Sequence, residues 1–401
     1  MKGLPDLDNC IGCGVCIEVC PVKCLSFYKD KDGFAQIIGD VDKCIQCNKC
    51  ERLCPILTNS SDRKHFEQSD IIVYACKHKD PKLQKRSSSG GFFVALCSSL
   101  FSVYGDNLTV YGAAMQADFS VQHIAATSFS DISQFVGSKY LQSDISSVLL
   151  PIKENLNKGR IVLFSGTPCQ IAALKSYLGK EYTALYTCEV ICHGVPSYLH
   201  FEKQNNYFAQ KYDAKVVDIQ FRSKFICWTI PTTKYTFSDG KVRYFRMEEN
   251  SFMNSFYEGL NLRCSCYNCR YSSIPRQADI TMGDFWGIGK SSNFSLFAKE
   301  RGISLVLCNS EKGKTLFQKA QLLLDYELRT IEEAIKGNVH LIRPVENKLL
   351  YRKQLLSDLY SFSIEEVMRN FPIRSAKKSL GLLMGHRCLK LYYYIKEILR
   401  K

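Results

Sequence analysis

The stretch "CIGCGVCIEVCP", residues 10–21, carries four cysteines in the order C-x2-C-x2-C-x3-C-P. The stretch "CIQCNKCERLCP", residues 44–55, repeats this order about 34 residues later. The chain starts "MKGLPDLDNC", without an apolar signal region, so we expect a cytoplasmic protein whose cysteines do not form a disulfide framework. Two complete four-cysteine runs therefore predict two metal centres near the start of the chain.

The spacing of each run is that of two-cluster ferredoxins, in which the fourth cysteine of one run binds the cluster of the other run. The first predicted ligand set is Cys10, Cys13, Cys16 and Cys54, and the second is Cys44, Cys47, Cys50 and Cys20. Pairs of C-x2-C also suit tetrahedral zinc, but two complete runs that each end in Cys-Pro favour 4Fe–4S clusters. Cys24 lies outside the pattern and is interpreted as a small packing residue.

The overall composition agrees with a redox protein of two or three domains. The chain has 401 residues, of which 46% are hydrophobic and 23% charged, as in ordinary globular proteins. It contains no apolar run of about 18 residues, so no membrane-spanning helix is expected. The formal charge of +14 counts every thiol as neutral, and much of the excess lies in the last forty residues. Without a basic stripe interleaved with aromatic residues, nucleic acid is not an expected partner.

A polar linker, "ILTNSSDRKHFEQSD", separates the cysteine runs from an apolar strand at residues 71–76. The motif "SSSGG", residues 87–91, precedes a helix predicted over about 91–103. Backbone N–H groups at such a helix start can bind an anion, for which a flavin pyrophosphate is suitable, although serine capping alone is an alternative. In the turn "GSKY", residues 137–140, Lys139 would lie near a flavin or a phosphate, or would simply be solvated.

Two further cysteines follow predicted parallel strands. The segment "GRIVLFSGTPCQIAALKSYL" reads as strand, turn and helix, with Pro168 in the first helical turn and Cys169 beside it. The macrodipole at a helix N-terminus favours a thiolate there. The next strand, "YTALYTCEVIC", ends at Cys192. The carboxyl ends of parallel strands form the usual ligand edge of an open α/β sheet.

The segment "RCSCYNCRY", residues 263–271, offers Cys266 and Cys269 as a C-x2-C pair. Together with Cys169 and Cys192 this pair could hold a third cluster, which leaves Cys264 over because C-x-C spacing is awkward for two corners of one cubane. Spacing alone leaves open that each of these cysteines is a buried hydrophobic residue. That interpretation is preferred for six others: Cys76, Cys97, Cys188, Cys227, Cys308 and Cys388.

Several segments together resemble one family. They are "SSSGGFFVAL", "GSKYLQS", "LFSGTPCQIAAL", "CHGVPS", "FRSK", "SCYNC", "ADITMGDFWGI" and "GISLVLCNSEKGK". From about residue 70 to 335 the chain resembles the beta subunits of coenzyme F-420 hydrogenases and dehydrogenases. The resemblance implies a flavoprotein, with FAD more expected than FMN, and a nearby 4Fe–4S cluster. It also implies electron transfer between iron–sulfur centres and an organic substrate or carrier.

The resemblance also implies roles for individual residues. The flavin contacts would be Ser89, Gly90, Gly91, Ser138, Lys139 and Tyr140. The ligands of the third cluster would be Cys169, Cys192, Cys266 and Cys269. Cys188 and Cys264 depart from the pattern and compete as ligands. His193 would be a proton source or hydrogen-bond donor beside the cluster, or would cap its own loop. Asp284 and Trp286 would shape the pocket, or form an Asx-turn with a core tryptophan.

The predicted fold class is an α+β ferredoxin-like N-terminal domain (1–60), an α/β flavin-binding body (70–155 and 156–335) and a basic helical tail (336–401). The tail packs on its own domain or contacts a partner or an anionic membrane surface. We expect few buried contacts across the polar linker. The predicted function is an iron–sulfur flavoprotein oxidoreductase that uses a redox partner such as a ferredoxin or a dehydrogenase subunit. The alternative is an electron-transfer subunit of such a complex, with no substrate of its own.

Overall fold

The computed structural model describes residues 4–6, 8–58, 71–288 and 292–371 as a mixed α/β structure. The strands are β1 (Leu25–Lys29), β2 (Ala35–Gly39), β3 (Ile72–His78), β4 (Leu108–Met115), β5 (Val121–Ala126), β6 (Ser143–Asp144), β7 (Ile161–Gly166), β8 (Leu185–Val190), β9 (Val216–Cys227), β10 (Ile230–Phe237), β11 (Val242–Phe245), β12 (Ile280–Asp284), β13 (Ser304–Cys308) and β14 (Leu324–Arg329). The α-helices are α1 (Val15–Glu18), α2 (Lys49–Arg52), α3 (Pro81–Arg86), α4 (Phe92–Tyr104), α5 (Ser146–Asn157), α6 (Pro168–Leu178), α7 (Tyr198–Tyr212), α8 (Ser251–Tyr257), α9 (Cys264–Tyr267), α10 (Leu296–Arg301), α11 (Glu311–Ala320), α12 (Ile331–Gly337), α13 (Leu349–Ser361) and α14 (Ile364–Asn370).

The largest sheet in the described residues has the strand order β14-β3-β13-β12-β8-β7-β4-β5-β6. Its centre, β4, β7, β8 and β12, is parallel, whereas β3 pairs antiparallel with both β13 and β14. Since β7 and β8 are parallel, as the sequence predicts, Cys169 and Cys192 follow strand ends at the same edge of the sheet.

Both faces of this sheet are covered. Successive residues of a strand point to opposite faces, so Leu163 of β7 belongs to one buried cluster while Val162 and Phe164 belong to another. Helices α4 and α11 cover the first face, and α5 and α6 cover the second. A sheet buried on both faces explains why "IVLF" is apolar without alternation.

A second, antiparallel sheet, β11-β10-β9, lies in the chain between β8 and β12 and was not predicted from the sequence. Its inward side packs with α7 and α8 in a third buried cluster rich in aromatic rings, for example Phe208 stacked on Phe245. This sheet and its helices separate Cys192 from the C-x2-C pair along the chain.

The N-terminal segment packs tightly on the body, so the expectation of few buried contacts is wrong. Val15 of α1 belongs to the same buried cluster as α5 and α6. The hydroxyls of Ser176 and Tyr271 donate to the carbonyls of Leu53 and Pro55, at 2.8 Å and 2.9 Å. A polar linker marks a break along the chain, but it carries no information about packing in space.

The predicted tail is described only in part. Helices α13 and α14 are present, and their residues Leu355, Leu359 and Ile364 pack with Phe34 of the N-terminal segment. The last predicted helix, residues 379–401, and Cys388 lie outside the described residues, so the membrane contact stays a prediction. None of the helices in the described ranges is long and apolar enough to cross a membrane.

A buried ion pair connects β8 to the segment that follows the C-x2-C pair. Arg276 Nε lies 2.5 Å from Glu189 Oε1, and the two side chains are 1% and 0% exposed. Arg276 also donates to the carbonyls of Tyr271 and Ser273, while Glu189 accepts from the Thr281 hydroxyl. Because these charged groups have partners, the pair can exist in a dry interior.

We expect Glu189→Gln to lower the free energy of unfolding by about 3–5 kcal/mol, because it leaves the Arg276 charge buried without a counter-charge. The measurement is anaerobic urea unfolding at equal iron content. The control is Glu311→Gln at an ion pair whose acid is 87% exposed, where we expect about 0–1 kcal/mol. Similar effects in the two variants would contradict this account of the pair.

Candidate functional site

A cavity of about 560 Å³ opens at the sheet edge where β7 and β8 end. This volume lies in the range of small-molecule sites. Its lining includes the loop Ile11–Cys13 of the first cysteine run, Cys169 and Cys192, and the two segments predicted to contact a flavin. The cavity therefore joins parts that the sequence analysis treated separately.

Of the six predicted flavin contacts, all except Gly90 line this cavity; they are Ser89, Gly91, Ser138, Lys139 and Tyr140. Gly90 instead lies between two strands. Its amide donates to the Ser304 hydroxyl at 2.9 Å, and a Cβ there would lie 2.3 Å from the carbonyl oxygen of Cys76. Gly90 is needed for close backbone packing against β3 and β13, which the sequence motif did not reveal.

Serine side chains do not cap helix α4. Its N-cap is Gly91 at φ 95°, and no side chain bonds to the first turn. The Ser88 hydroxyl instead accepts from the amide and the hydroxyl of Ser138, at 2.8 Å and 2.9 Å, and so joins the two predicted segments. Ser89 donates to the carbonyl of Ile303. The N-terminus of α4 is thus open on the cavity side, where its N–H groups can bind an anion.

Lys139 is partly buried and forms no ion pair with an acid among the described residues. Its Nζ donates to the carbonyls of Gln134 and Val136, at 2.8 Å and 3.3 Å, and burial lowers the pKa of the amine to about 8. These hydrogen bonds fix the position of the Lys139 amine at the cavity wall, next to any ligand in the cavity.

The four thiols predicted for the third cluster lie close enough to perturb one another. Burial raises the pKa of Cys192 well above its ordinary value, and Cys169, Cys266 and Cys269 raise it further. Burial also raises the pKa of Cys266 to about 12 and that of Cys169 to about 11, and in each case the Cys269 thiol adds to the increase. Four thiols this close together are suited to a metal centre that binds them all as thiolates and offsets the repulsion between their charges.

The two competing cysteines point elsewhere. Cys188 is fully buried in the core of the sheet with Cys97 and Cys308. Burial raises the pKa of Cys264, and the groups that perturb it further are Arg352, Asp8 and Arg263 rather than the four thiols. The local cause is the short helix α9, because adjacent positions of a helix face different directions.

Several N-terminal thiols lie near members of their predicted groups, although Cys16 of the first group is also perturbed by Cys50 of the second. Burial raises the pKa of Cys13 well above its ordinary value, with added contributions from Cys16, Cys10 and Cys54. In the other group, burial raises the pKa of Cys50, and the Cys20 thiol raises it further. Residues with positive φ, Gly12 and Gly14 in the first run and Gln46 and Asn48 in the second, together with the short helices α1 and α2, bring these positions together.

Cys24 belongs spatially to the second group, although its spacing does not fit the motif. Its Sγ lies 3.5 Å from that of Cys20, and the Cys44 thiol helps to raise its pKa, which burial and Cys20 bring to about 11. Among the described residues, no three His, Cys, Asp or Glu side chains are arranged around a single metal ion. A cubane sets its four thiolates farther apart than one ion does, so this finding does not bear on clusters.

His193, Asp284 and Trp286 all line the cavity. His193 contacts His340 at 2.9 Å through Nδ1 and the carbonyl of Phe256 at 2.9 Å through Nε2, and burial lowers its pKa to about 4. Asp284 does not form the Asx-turn considered above as an alternative. Its carboxylate accepts from Arg222 and from the indole of Trp228, both at 2.6 Å.

The sequence analysis missed several polar cavity residues, among them His123 and Arg222. His123 is buried on β5, contacts the carbonyl of Ser165 at 2.8 Å, and has no partner for Nδ1 among the described residues. Arg222 Nε also lacks a partner there, although Nη1 bonds Asp284. The inward position of His123 in the alternating "VQHIAA" could have indicated it. Unpartnered buried polar atoms at a cavity wall fit a site whose ligand supplies their hydrogen bonds.

Comparisons with known proteins agree with two of the sequence-based predictions. Residues 159–334 match the family model for the C-terminal part of the coenzyme F420 hydrogenase/dehydrogenase beta subunits, and residues 9–57 match "4Fe-4S dicluster domain". These matches confirm the resemblance and the two-cluster N-terminal region. No curated protein is significantly similar to this chain.

One similar solved structure is a chain of the F420-reducing [NiFe] hydrogenase complex from Methanosarcina barkeri. It is 18% identical, with a TM-score of 0.43, over 74% of this chain and 90% of that chain. A likeness of this degree indicates only a distant resemblance.

We expect Gly90→Ala to lower the free energy of unfolding by about 1–3 kcal/mol or more, because the new methyl group meets backbone on two strands that cannot both move. The control is Gly166→Ala, where a Cβ would meet side chains rather than backbone, at 3.1 Å from both Gln170 Oε1 and Phe164 Cε1. Urea unfolding of both variants should show the larger loss for Gly90→Ala. A larger loss in Gly166→Ala would contradict the packing role of Gly90 and favour its predicted role as a flavin contact.

Proposed function

We propose that this chain, whose residues 159–334 match the F420 hydrogenase/dehydrogenase beta-subunit family and follow a 4Fe-4S dicluster domain, is an iron–sulfur flavoprotein oxidoreductase. It passes electrons between a redox partner protein and an organic substrate or carrier, through three 4Fe–4S clusters and FAD. The observation that carries this proposal is the cavity lined jointly by the Ile11–Cys13 loop, by Cys169 and Cys192, and by the predicted flavin segments.

The cavity residues fit a flavin with a pyrophosphate. The uncapped N-terminus of α4 supplies backbone donors for phosphate, and the Ser88–Ser138 pair holds the second wall next to it. Tyr140 packs on Phe256, with ring centroids 4.6 Å apart, and provides an aromatic wall. A bound flavin would accept single electrons and deliver two as a hydride equivalent, which is chemistry that the protein itself does not supply.

The three cysteine groups would form a path for electrons. The group with Cys44 and Cys50 lies near the surface, beside the exposed side chains of Val41 and Ile45, and suits the intake from a partner. The group with Cys13 lies at the cavity wall. The group with Cys169 and Cys192 lies at the same cavity, so both inner groups are placed next to the proposed flavin site.

A second candidate is an electron-transfer subunit of a larger complex with no substrate of its own. The observation in its favour is the description of the matched family as a beta subunit. Reduction of a small organic acceptor by the isolated chain would favour the oxidoreductase. Activity only within a stable assembly of different chains would favour the alternative.

We expect about twelve irons per chain after anaerobic purification, from three cubanes with four irons each. The double variant Cys266→Ser/Cys269→Ser should lose about four of them and keep the spectroscopic signals of the N-terminal clusters. The measurements are iron analysis and electron paramagnetic resonance of the reduced protein.

The matched control is Cys188→Ser/Cys264→Ser, which removes the two competing thiols and should retain all of the iron. If wild-type protein holds about eight irons and the Cys266/Cys269 variant holds the same, the third cluster does not exist.

We expect Ser138→Asp to reduce bound flavin sharply, because it places a carboxylate beside the open N-terminus of α4, where a pyrophosphate would bind. Ser138→Asn adds an amide of the same size without charge and should retain most of the flavin. Flavin released by denaturation is quantified by absorbance and chromatography, which also distinguishes FAD from FMN. Equal flavin content in the two variants would show that no phosphate binds there.

A further inference from the structure

Arg263 lies at the junction between the N-terminal segment and the body. It is 2% exposed, one of the largest buried side chains in the described residues. Its Nε donates to the carbonyl of Cys10 at 2.8 Å, and Nη2 donates to the carbonyl of Ala35 at 2.7 Å and to the Gln36 side chain at 3.3 Å. Nη1 donates to Gln142 Oε1 at 3.1 Å. Three parts of the chain that are distant in sequence thus meet at one guanidinium.

All of these acceptors are neutral. Within the described ranges, Arg263 forms no ion pair, whereas two other deeply buried arginines have carboxylate partners: Arg222 with Asp284, and Arg276 with Glu189. A guanidinium buried without a counter-charge is costly even when its N–H groups are hydrogen-bonded. Its environment therefore requires negative charge from another source.

The thiols on its two sides are that source once they are deprotonated. On one side is Cys10, whose carbonyl accepts from Arg263 and which belongs to the group with Cys13, Cys16 and Cys54. On the other side, the Cys266 amide donates to the Arg263 carbonyl at 3.0 Å, and the Arg263 charge lies near enough to the Cys169 and Cys266 side chains to act on both. A cubane with four thiolates has a net charge of about −2, and one more negative charge when reduced.

The backbone is shaped to fit this arrangement. Gly12 has φ 63°, and a Cβ there would lie 2.8 Å from Gln142 Nε2 and 3.0 Å from Arg263 Nη1. Gln142 Nε2 donates to the carbonyls of Ile11 and Gly12, at 3.1 Å and 3.0 Å. A glycine in the first cysteine run therefore lets the loop lie directly on the Arg263–Gln142 pair.

We propose that Arg263 is a positioning residue for electron transfer: its buried charge is shared by the two inner clusters and raises the reduction potential of both. This inference rests on the proposed function, because it needs clusters at both cysteine groups. Clusters held by the two cysteine groups would exchange single electrons, with no bond or proton changed at Arg263. Because Arg263 contacts Cys10 and lies near Cys169 and Cys266, its charge would stabilise an added electron at either group.

The test is an anaerobic potentiometric titration followed by electron paramagnetic resonance, on the full chain with its clusters. Arg263→Gln should make both inner clusters harder to reduce by about tenfold in the reduction equilibrium, or about 59 mV for a one-electron couple. The outer cluster, bound by the group with Cys44 and Cys50, should not change. Arg263→Lys retains the charge and should restore most of the inner potentials.

Two further variants control for charge and for folding. Arg270→Gln removes an exposed arginine whose charge reaches Cys54, so solvent screening should make its effect much smaller. If Arg263→Gln does not fold, Gln142→Glu places a carboxylate against the intact Arg263 and should lower the same two potentials. Its neutral counterpart, Gln142→Met, also loses the hydrogen bonds from Nε2 to Ile11 and Gly12 but adds no charge, and should not lower them.

Each outcome identifies the failing step. If wild type holds about twelve irons and the inner potentials do not change in Arg263→Gln and Gln142→Glu, the role of Arg263 is overturned. The proposed function then stays intact. Equal shifts of all three clusters, or an equal shift in Arg270→Gln, also overturn it. If wild type lacks the third cluster, the proposed function is overturned, and the role of Arg263 is overturned with it.

Discussion

The arrangement of the site depends on the buried ion pair between Glu189 and Arg276. Glu189 lies on the strand that leads to Cys192, and Arg276 lies shortly after Cys269, so one interaction fixes the relative position of two thiol-bearing segments. The antiparallel sheet and its helices lie between these segments in the chain, so sequence spacing alone does not fix the distance between them. The same arginine holds the loop after the C-x2-C pair through two of its carbonyls. The ion pair therefore helps to position the cysteines of the third group, whereas the short spacing of the motif positions those of the first two.

Features that depend on local spacing could be predicted from the sequence. The dicluster character of the N-terminal segment, the strand and helix around Cys169, and the helix after "SSSGG" all belong to this class, because a few neighbouring residues determine them. The location of the predicted flavin segments on one cavity followed from a family resemblance rather than from the residues alone. Cys264 could be set aside because two positions of a C-x-C pair face different directions.

Features that depend on contacts between distant segments could not be predicted. Gly90 looked like part of an anion-binding motif, yet its constraint comes from the pairing of β3 with β13, which lies far away in the sequence. Arg263 precedes the C-x2-C pair, and nothing in that motif indicates that its partners are the carbonyls of Cys10 and Ala35. The polar linker suggested two independent units, but Val15 completes a core formed by α5 and α6. In each case the information lies in the tertiary structure.

The strand order has a consequence for how the protein is made. Strand β3 is the first strand of the body, but both of its neighbours, β13 and β14, come from the far end of the matched region. During synthesis this strand has no partner until residues 304–329 have left the ribosome, and its apolar residues remain exposed over that time. Pairing between such distant segments is slow and leaves unpaired edges open to aggregation. Production of the protein should therefore benefit from slow translation and chaperones, as well as from a supply of iron and sulfide.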